Sequence, residues 1–190
     1  MIAIAKASPG NDAGMPPRAG VLCAFANTLD VDVDAPCADS ITTAAELTAW
    51  LRARDLLGPD ERANAADLDI ARTFRAGLRA AMHRHHDDDH AETVTELDAA
   101  AARLPLRIVF DGTHPRLTPA ATGAKAALAH LLVAVAESES DNTWTRLKVC
   151  IADDCQLAFY DTSKNRSRHW CSMGVCGNRQ KTRTYRSRRR

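Results

Sequence analysis

Aromatic side chains are scarce. Phe, Trp and Tyr make up 5% of the 190 residues, although 45% are hydrophobic. A core must then be built mainly from Ala, Leu and Val, which favours helices over strands. Long apolar runs are also missing. The richest, around Ala126 to Ala136, is too short to cross a bilayer and carries His130. The opening MIAIAKASPGND lacks the charged lead-in and apolar stretch of a secretory signal. A cytoplasmic protein with no membrane partner is therefore expected, in a compartment where clustered cysteines hold metal more often than they form disulfides. Also lacking are a Gly-rich phosphate loop, a G-x-S-x-G elbow and an H-E-x-x-H pair, so no enzymatic role is expected.

Acid is absent from the last 27 residues. Residues 164–190 hold 10 Lys+Arg and no Asp or Glu, whereas residues 1–163 hold 15 Lys+Arg against 24 Asp+Glu. The overall charge of +1 hides a strongly basic tail on an acidic body. Such a split points to a polyanionic partner.

The periodicity predicts a mainly α fold with one small β-hairpin. Residues 1–19 read as flexible, with Gly10, Gly14, Pro16 and Pro17, and order is expected from Gly20. GVLCAFANTLD fits either a strand or a short helix, and residues 30–39 read as a loop. Thr43 and Glu46 form a capping-box pattern before Leu47, Trp50 and Leu51, predicting a helix of about 12–14 residues that Gly58-Pro59 stops. Ile70, Phe74, Leu78 and Met82 predict a helix starting at 60–67 and running into the low 80s. A third helix is expected from Ala91 to Arg103. LRIVF, DGTHPR and LT read as strand, turn and strand, and a longer helix follows from about Pro119 to Glu137. The polar ESESDN run (137–142) suggests a boundary between a helical domain at 20–140 and a C-terminal module at 144–190. HRHHDDDH (83–90) is metal-competent, but its place after a helix makes it a solvated connection first.

Four of the six cysteines, Cys150, Cys155, Cys171 and Cys176, are spaced C-x4-C-x15-C-x4-C. Two close pairs joined by a short intervening segment suit one tetrahedral zinc ion. Four thiolates leave no open coordination position, so the zinc is structural. His169, two residues before Cys171, could replace one of them, and is otherwise a polar or nucleic-acid contact. Cys23 and Cys37 read as a buried thiol and a loop thiol. About 45 residues with so few large apolar groups cannot fold without a staple.

Beyond the last cysteine no proline interrupts a helix. Arg179, Arg183, Arg186 and Arg190 recur at 4, 3 and 4, which puts them on one helical face. Guanidinium groups so arrayed pair with phosphates or read guanine edges. Lys181 and Arg188 would flank that face, and Lys164, Arg166 and Arg168 could reach neighbouring phosphates. DNA is the expected partner; RNA or an acidic protein surface is the alternative, with the tail acting as a polyanion clamp or adaptor. Two-fold DNA readers double their contacts, so a homodimer is compatible with this reading.

RLKVCIADDCQLAFYDTSKNRSRHWCSMGVCGNRQKTRTYRSRRR resembles the CGNR zinc-finger family, including the namesake Cys176-Gly177-Asn178-Arg179. The resemblance covers about residues 144–190. The GVLCAFANTLD segment and the AAELTAWL helix resemble, more loosely, the ABATE domain that accompanies this finger. The resemblance implies that all four cysteines bind zinc and that the protein is a stress-related transcription regulator. It also implies a treble-clef-like order: a knuckle with Cys150 and Cys155, a hairpin through Phe159 and Trp170, and a helix opening near Cys171–Cys176.

Overall fold

The computed structural model describes residues 14–30, 38–86 and 94–187. Helix α1 (Pro17–Ala26) resolves the ambiguous segment. The helix starts three residues before the expected Gly20, because Pro17 sits at the first helical position, where its missing N–H costs nothing. Its inner face, Leu22, Phe25 and Ala26, is fully buried. Phe25 packs edge-on to Trp50 at 5.2 Å and against Phe74 at 5.7 Å, so three of the few aromatics meet at one point of the core.

The expected loop at 30–39 is flanked by two-residue strands, β1 (Leu29–Asp30) and β2 (Ala38–Asp39), paired antiparallel. Cys37 lies outside the described residues. Arg75 holds this pair from the next layer, donating to both carboxylate oxygens of Asp39 at 2.7 and 2.6 Å and to Thr28 Oγ1 at 2.9 Å.

Helix α2 (Ala44–Arg52) opens with the predicted capping box: Glu46 N–H donates to Thr43 Oγ1 and the Glu46 carboxylate accepts from Thr43 N–H. The helix has nine residues rather than 12–14. Asp55 takes a left-handed φ of 56° and Leu56 N–H returns to the Leu51 carbonyl, ending the helix before Gly58-Pro59 is reached. Helix α3 (Ala65–Arg84) begins with a second capping box, Asn64 with Asp67, and buries Ile70, Phe74, Leu78 and Met82 as the periodicity requires.

Helix α4 (Thr95–Ala101) is shorter than expected at both described ends; residues 91–93 lie outside the described set. It lies directly on α3 at Gly77, where an added Cβ would stand 2.3 Å from Leu97 N and 2.6 Å from its Cα. Strands β3 (Leu106–Asp111) and β4 (His114–Pro119) form the predicted hairpin, with a tighter turn: Asp111 pairs with His114 across Gly112-Thr113, so His114, Pro115 and Arg116 are strand residues. Helix α5 (Gly123–Ser140) starts four residues after Pro119, which closes β4, and runs through most of the polar 137–142 segment.

A 3-10 turn (Trp144–Arg146) leads into β5 (Leu147–Val149), which pairs antiparallel with β6 (Ala158–Tyr160). Leu147, Val149, Ala158 and Tyr160 belong to the same buried cluster as α1, α3 and α5. The C-terminal module thus sits on the helical body rather than hanging from it. Asn27, capping α1, clamps β6 twice: its amide donates to Ala158 O at 2.9 Å and accepts from Ala158 N–H at 2.7 Å.

The histidines at the end of α3 make the second clamp. His85 Nδ1 meets Leu147 O at 2.6 Å and His86 Nε2 meets Val149 O at 2.6 Å. The first part of the HRHHDDDH run is therefore a docking device, not a solvated connection; Asp87 to His90 lie outside the described residues. Because a carbonyl only accepts, His86 must carry its proton on Nε2, and its Nδ1 is buried without a partner. Burial, with Lys148, His169 and His83 nearby, holds the His86 pKa below its usual value.

Two outcomes are expected. Gly77→Ala would gain about 1 kcal/mol in an isolated helix, but here the clash with α4 should cost about 1–3 kcal/mol in urea unfolding; a stabilised variant would mean that α4 does not rest on this position. His86 holds a proton less readily when folded than when unfolded, so its contribution is complete above the unfolded pKa of about 6.5 and is lost as pH falls from there through the lower folded pKa. Wild-type Tm should accordingly drop more steeply between pH 7.5 and 5.5 than that of His86→Gln. Parallel pH profiles would contradict this.

Candidate metal centre and basic helix

Strand β5 ends at Val149, and the next residue, Cys150, begins the knuckle. Cys150 N–H donates to Leu157 O at 2.9 Å, and Cys155 N–H donates to Ala152 O at 2.9 Å. Gln156, at a left-handed φ of 46°, turns the chain into β6. The second cysteine pair lies on a different support. Cys171 precedes a π turn (Met173–Gly177) that contains Cys176 and is capped by Ser172 Oγ, which accepts from Val175 N–H. Helix α6 (Asn178–Ser187) continues straight out of this turn.

The four sulfur atoms lie within 4.8 Å of one another, with Cys155–Cys171 at 3.6 Å and Cys171–Cys176 at 3.7 Å. A zinc ion bound at about 2.3 Å by four thiolates at tetrahedral angles needs sulfur separations of roughly 3.8 Å. The residues therefore fit zinc in donor type, number and spacing, and zinc there would be a structural tie. Without an ion among them, the four thiols compete for charge. Hydrogen bonds from the Cys150 and Cys171 thiols push Cys155 down to about 2, while its bond to Cys155 is the main cause raising Cys150 to about 11. Cys171 is likewise raised by its contacts with Cys150 and Cys155. Thiolates packed this closely cannot all ionise until a divalent ion sits among them.

His169 stands outside the sulfur cluster. Its ring stacks on His86 at 5.3 Å and meets Trp170 edge-on at 5.9 Å, joining the zinc module to α3. The resemblance implies a hairpin through Phe159 and Trp170. In the structure the partner of the Phe159 strand is β5, and Trp170 lies beyond any strand. The Ile151 N–H bond to His169 O at 3.1 Å ties that stretch to the knuckle.

Two buried acids organise the cations around the site. Asp161, fully buried, binds Lys148 at 3.2 Å and accepts from Arg168 N–H and from the Ser163 N–H and hydroxyl. Lys148 Nζ also donates to the Arg166 carbonyl. This network shapes the loop holding Lys164, Arg166 and Arg168. Arg166 donates to Thr145 Oγ1 at 2.9 Å; Arg168 reaches the Cys171 carbonyl and lies over the Phe159 ring at 5.2 Å; Lys164 is exposed. Asp154, whose side chain is only 2% exposed, binds Arg183 at 2.8 Å and Arg179 at 3.1 Å, and Arg179 Nη2 reaches Cys176 Sγ at 3.5 Å.

Part of the predicted arginine face thus reaches back to Asp154 and fastens α6 to the knuckle, with Arg179 half-buried and Arg183 still exposed. Arg186 continues that face beyond Asp154 and is exposed, as is Lys181. On a helix of 3.6 residues per turn, Lys181 and Tyr185 point away from Asp154. Arg188 and Arg190 lie outside the described residues. The sequence reading overlooked Asp154 and Asp161. Their signal was nonetheless legible: they stand among the last acids before an acid-free basic tail, one between two ligands and one in an Asp-x-Ser turn pattern.

Removal of zinc is expected to act in two tiers. Whole-module unfolding, expected from the small size of residues 144–190, gives way to a narrower loss, because β5 and β6 are anchored in the helical core. A strong chelator should release four reactive thiols and strip hydrogen-exchange protection from residues 171–187. Amides of 147–149 and 158–160 should stay protected. Loss of protection in α3 or α5 would show that the core itself depends on the metal.

A CGNR zinc-finger family model matches residues 146–189. A second model, ABATE, carrying the description "Putative stress-induced transcription regulator", matches residues 20–140. No curated protein matches the chain. No helix among the described residues is long and apolar enough to cross a membrane. With 121 of its 190 residues matched by the one model and the four-cysteine module by the other, the chain belongs to the ABATE family and carries a CGNR zinc finger.

Proposed function

We propose that the protein is a zinc-dependent DNA-binding transcription regulator, in which α6 contacts duplex DNA and the ABATE domain senses a signal or mediates assembly. The observation that carries this reading is the mounting of α6. It grows directly out of the Cys171–Cys176 turn and is fastened by Arg179 and Arg183 to a buried aspartate, so its remaining cations project from a rigid base. A disordered basic tail would offer charge without direction. A fixed helix offers defined positions, which is what reading a groove requires.

The contacts divide accordingly. Lys181, Arg186 and Lys164 are exposed and suited to phosphate or base-edge contact, with Arg188 and Arg190 continuing the basic run. Arg179 and Arg183 position the helix, and Arg166 and Arg168 shape the neighbouring loop; their exposed edges add to the field.

Selection from a random duplex library with zinc-loaded protein at near-physiological salt tests the reading, and an enriched motif is the expected result. Lys181→Ala and Arg186→Ala should each weaken binding and each lower the slope of log K against log salt by about 1, with Tm unchanged. Arg183→Ala should also lower Tm, since it leaves Asp154 short of a partner. Binding without any enriched sequence, fading as salt rises, would replace this reading with a general polyanion clamp for RNA or an acidic protein.

A further inference from the structure

The β3–β4 hairpin stands out from the body with an apolar face in water. Ile108 is 63% exposed, Phe110 68% and Leu117 39%. Only the base, Leu106 and Pro119, approaches the core. Among the described residues no third strand joins this ribbon. A two-stranded ribbon alone in water is marginal, and three or more strands are the usual remedy.

The two edges differ in kind. Antiparallel partners alternate between pairs that exchange both hydrogen bonds and pairs that exchange none. Pro115 and Pro119 have no N–H, so Phe110–Pro115 and Leu106–Pro119 are non-bonding pairs, and Ile108–Leu117 between them is the same. The Ala120 N–H bond to Pro105 O, one step below, agrees with that alternation. The backbone groups of these residues therefore point outward. On β4 two of the three outward positions are prolines, which blocks that edge against another strand. On β3 the outward groups belong to Leu106, Ile108 and Phe110, each with an N–H to give.

We propose that the β3 edge pairs antiparallel with β3 of a second copy of this chain, forming a two-fold four-stranded sheet centred on Val109. Charge selects this register. Val109 faces itself across the axis, Ile108 faces the partner's Phe110, and Arg107 faces the partner's Asp111. Arg107 and Asp111 lie on the same face of β3, so both ion pairs form at once. A two-residue shift toward the base would lose them. On the other face each Phe110 ring lies against an isoleucine of the partner, an aromatic–β-branched pair suited to cross-strand contact.

Sedimentation velocity on the full-length zinc-loaded protein over a wide concentration range tests this. A monomer–dimer equilibrium is expected. Ile108→Pro removes one outward N–H without touching a bond inside the hairpin, as Pro115 does on β4, and should weaken association at least tenfold. Arg107→Asp should weaken it likewise by facing the partner's Asp111, and the double variant Arg107→Asp/Asp111→Arg should restore it. If Ile108→Pro disturbs the fold, seen as a lower Tm, the charge exchange alone decides. A monomer at every concentration overturns the proposal, as does a dimer indifferent to Ile108→Pro or an Arg107→Asp defect that the double variant fails to repair.

Discussion

Strand β5 has to belong to two structures at once. Leu147 and Val149 enter the helical core, and the very next residue is one of the four clustered cysteines that fit a metal ion. Within three residues the chain passes from hydrophobic burial to coordination. The clamps from His85, His86 and Asn27 to β5 and β6 secure that handover with side-chain bonds to backbone groups, which do not depend on the metal. A free zinc finger obtains nearly all its folding energy from the ion. Here the ion has less to do. It needs only to draw the Cys171–Cys176 turn onto a knuckle already held in place by the body, and with that turn comes α6.

Charge placement follows from the same arrangement. A buried carboxylate is costly unless it is paired and hydrogen-bonded. Asp161 meets this condition with Lys148, Ser163 and the Arg168 amide; Asp154 meets it only at Oδ2, which both guanidinium groups of α6 approach, while its Oδ1 is buried without a hydrogen-bond partner. Each acid thereby fixes the direction of the cations it holds, Lys148 in burial and Arg179 and Arg183 with part of each side chain still in water. The basic helix is held by the arginines at Asp154 and presents its outward cations. The net charge of the tail says nothing of the direction of these groups.

Legibility was uneven along the chain. The capping box at Thr43–Glu46 and the four-residue apolar repeat of α3 were readable because each depends on residues within one or two turns. Boundaries were poorer. The end of α2 was decided by the left-handed Asp55, a conformation that composition does not announce. The HRHHDDDH run looked solvent-loving because its partners, two carbonyls of β5, lie more than sixty residues away. Residues Asp154 and Asp161 escaped notice for a similar reason: their burial comes from packing.

The sequence by itself determined the helical class, the four ligands and the excess of cation at one end. Composition, period and short-range spacing are local properties, and local sterics and coordination chemistry enforce them. Only the tertiary structure decided that the zinc module is built into the core, that Arg179 and Arg183 pair with Asp154 while Lys181 points away from it, and that the β3 edge is open while prolines close β4. Each of these depends on which distant surfaces become buried against one another. That balance of desolvation against pairing is struck across the fold, between residues that are not neighbours in the chain.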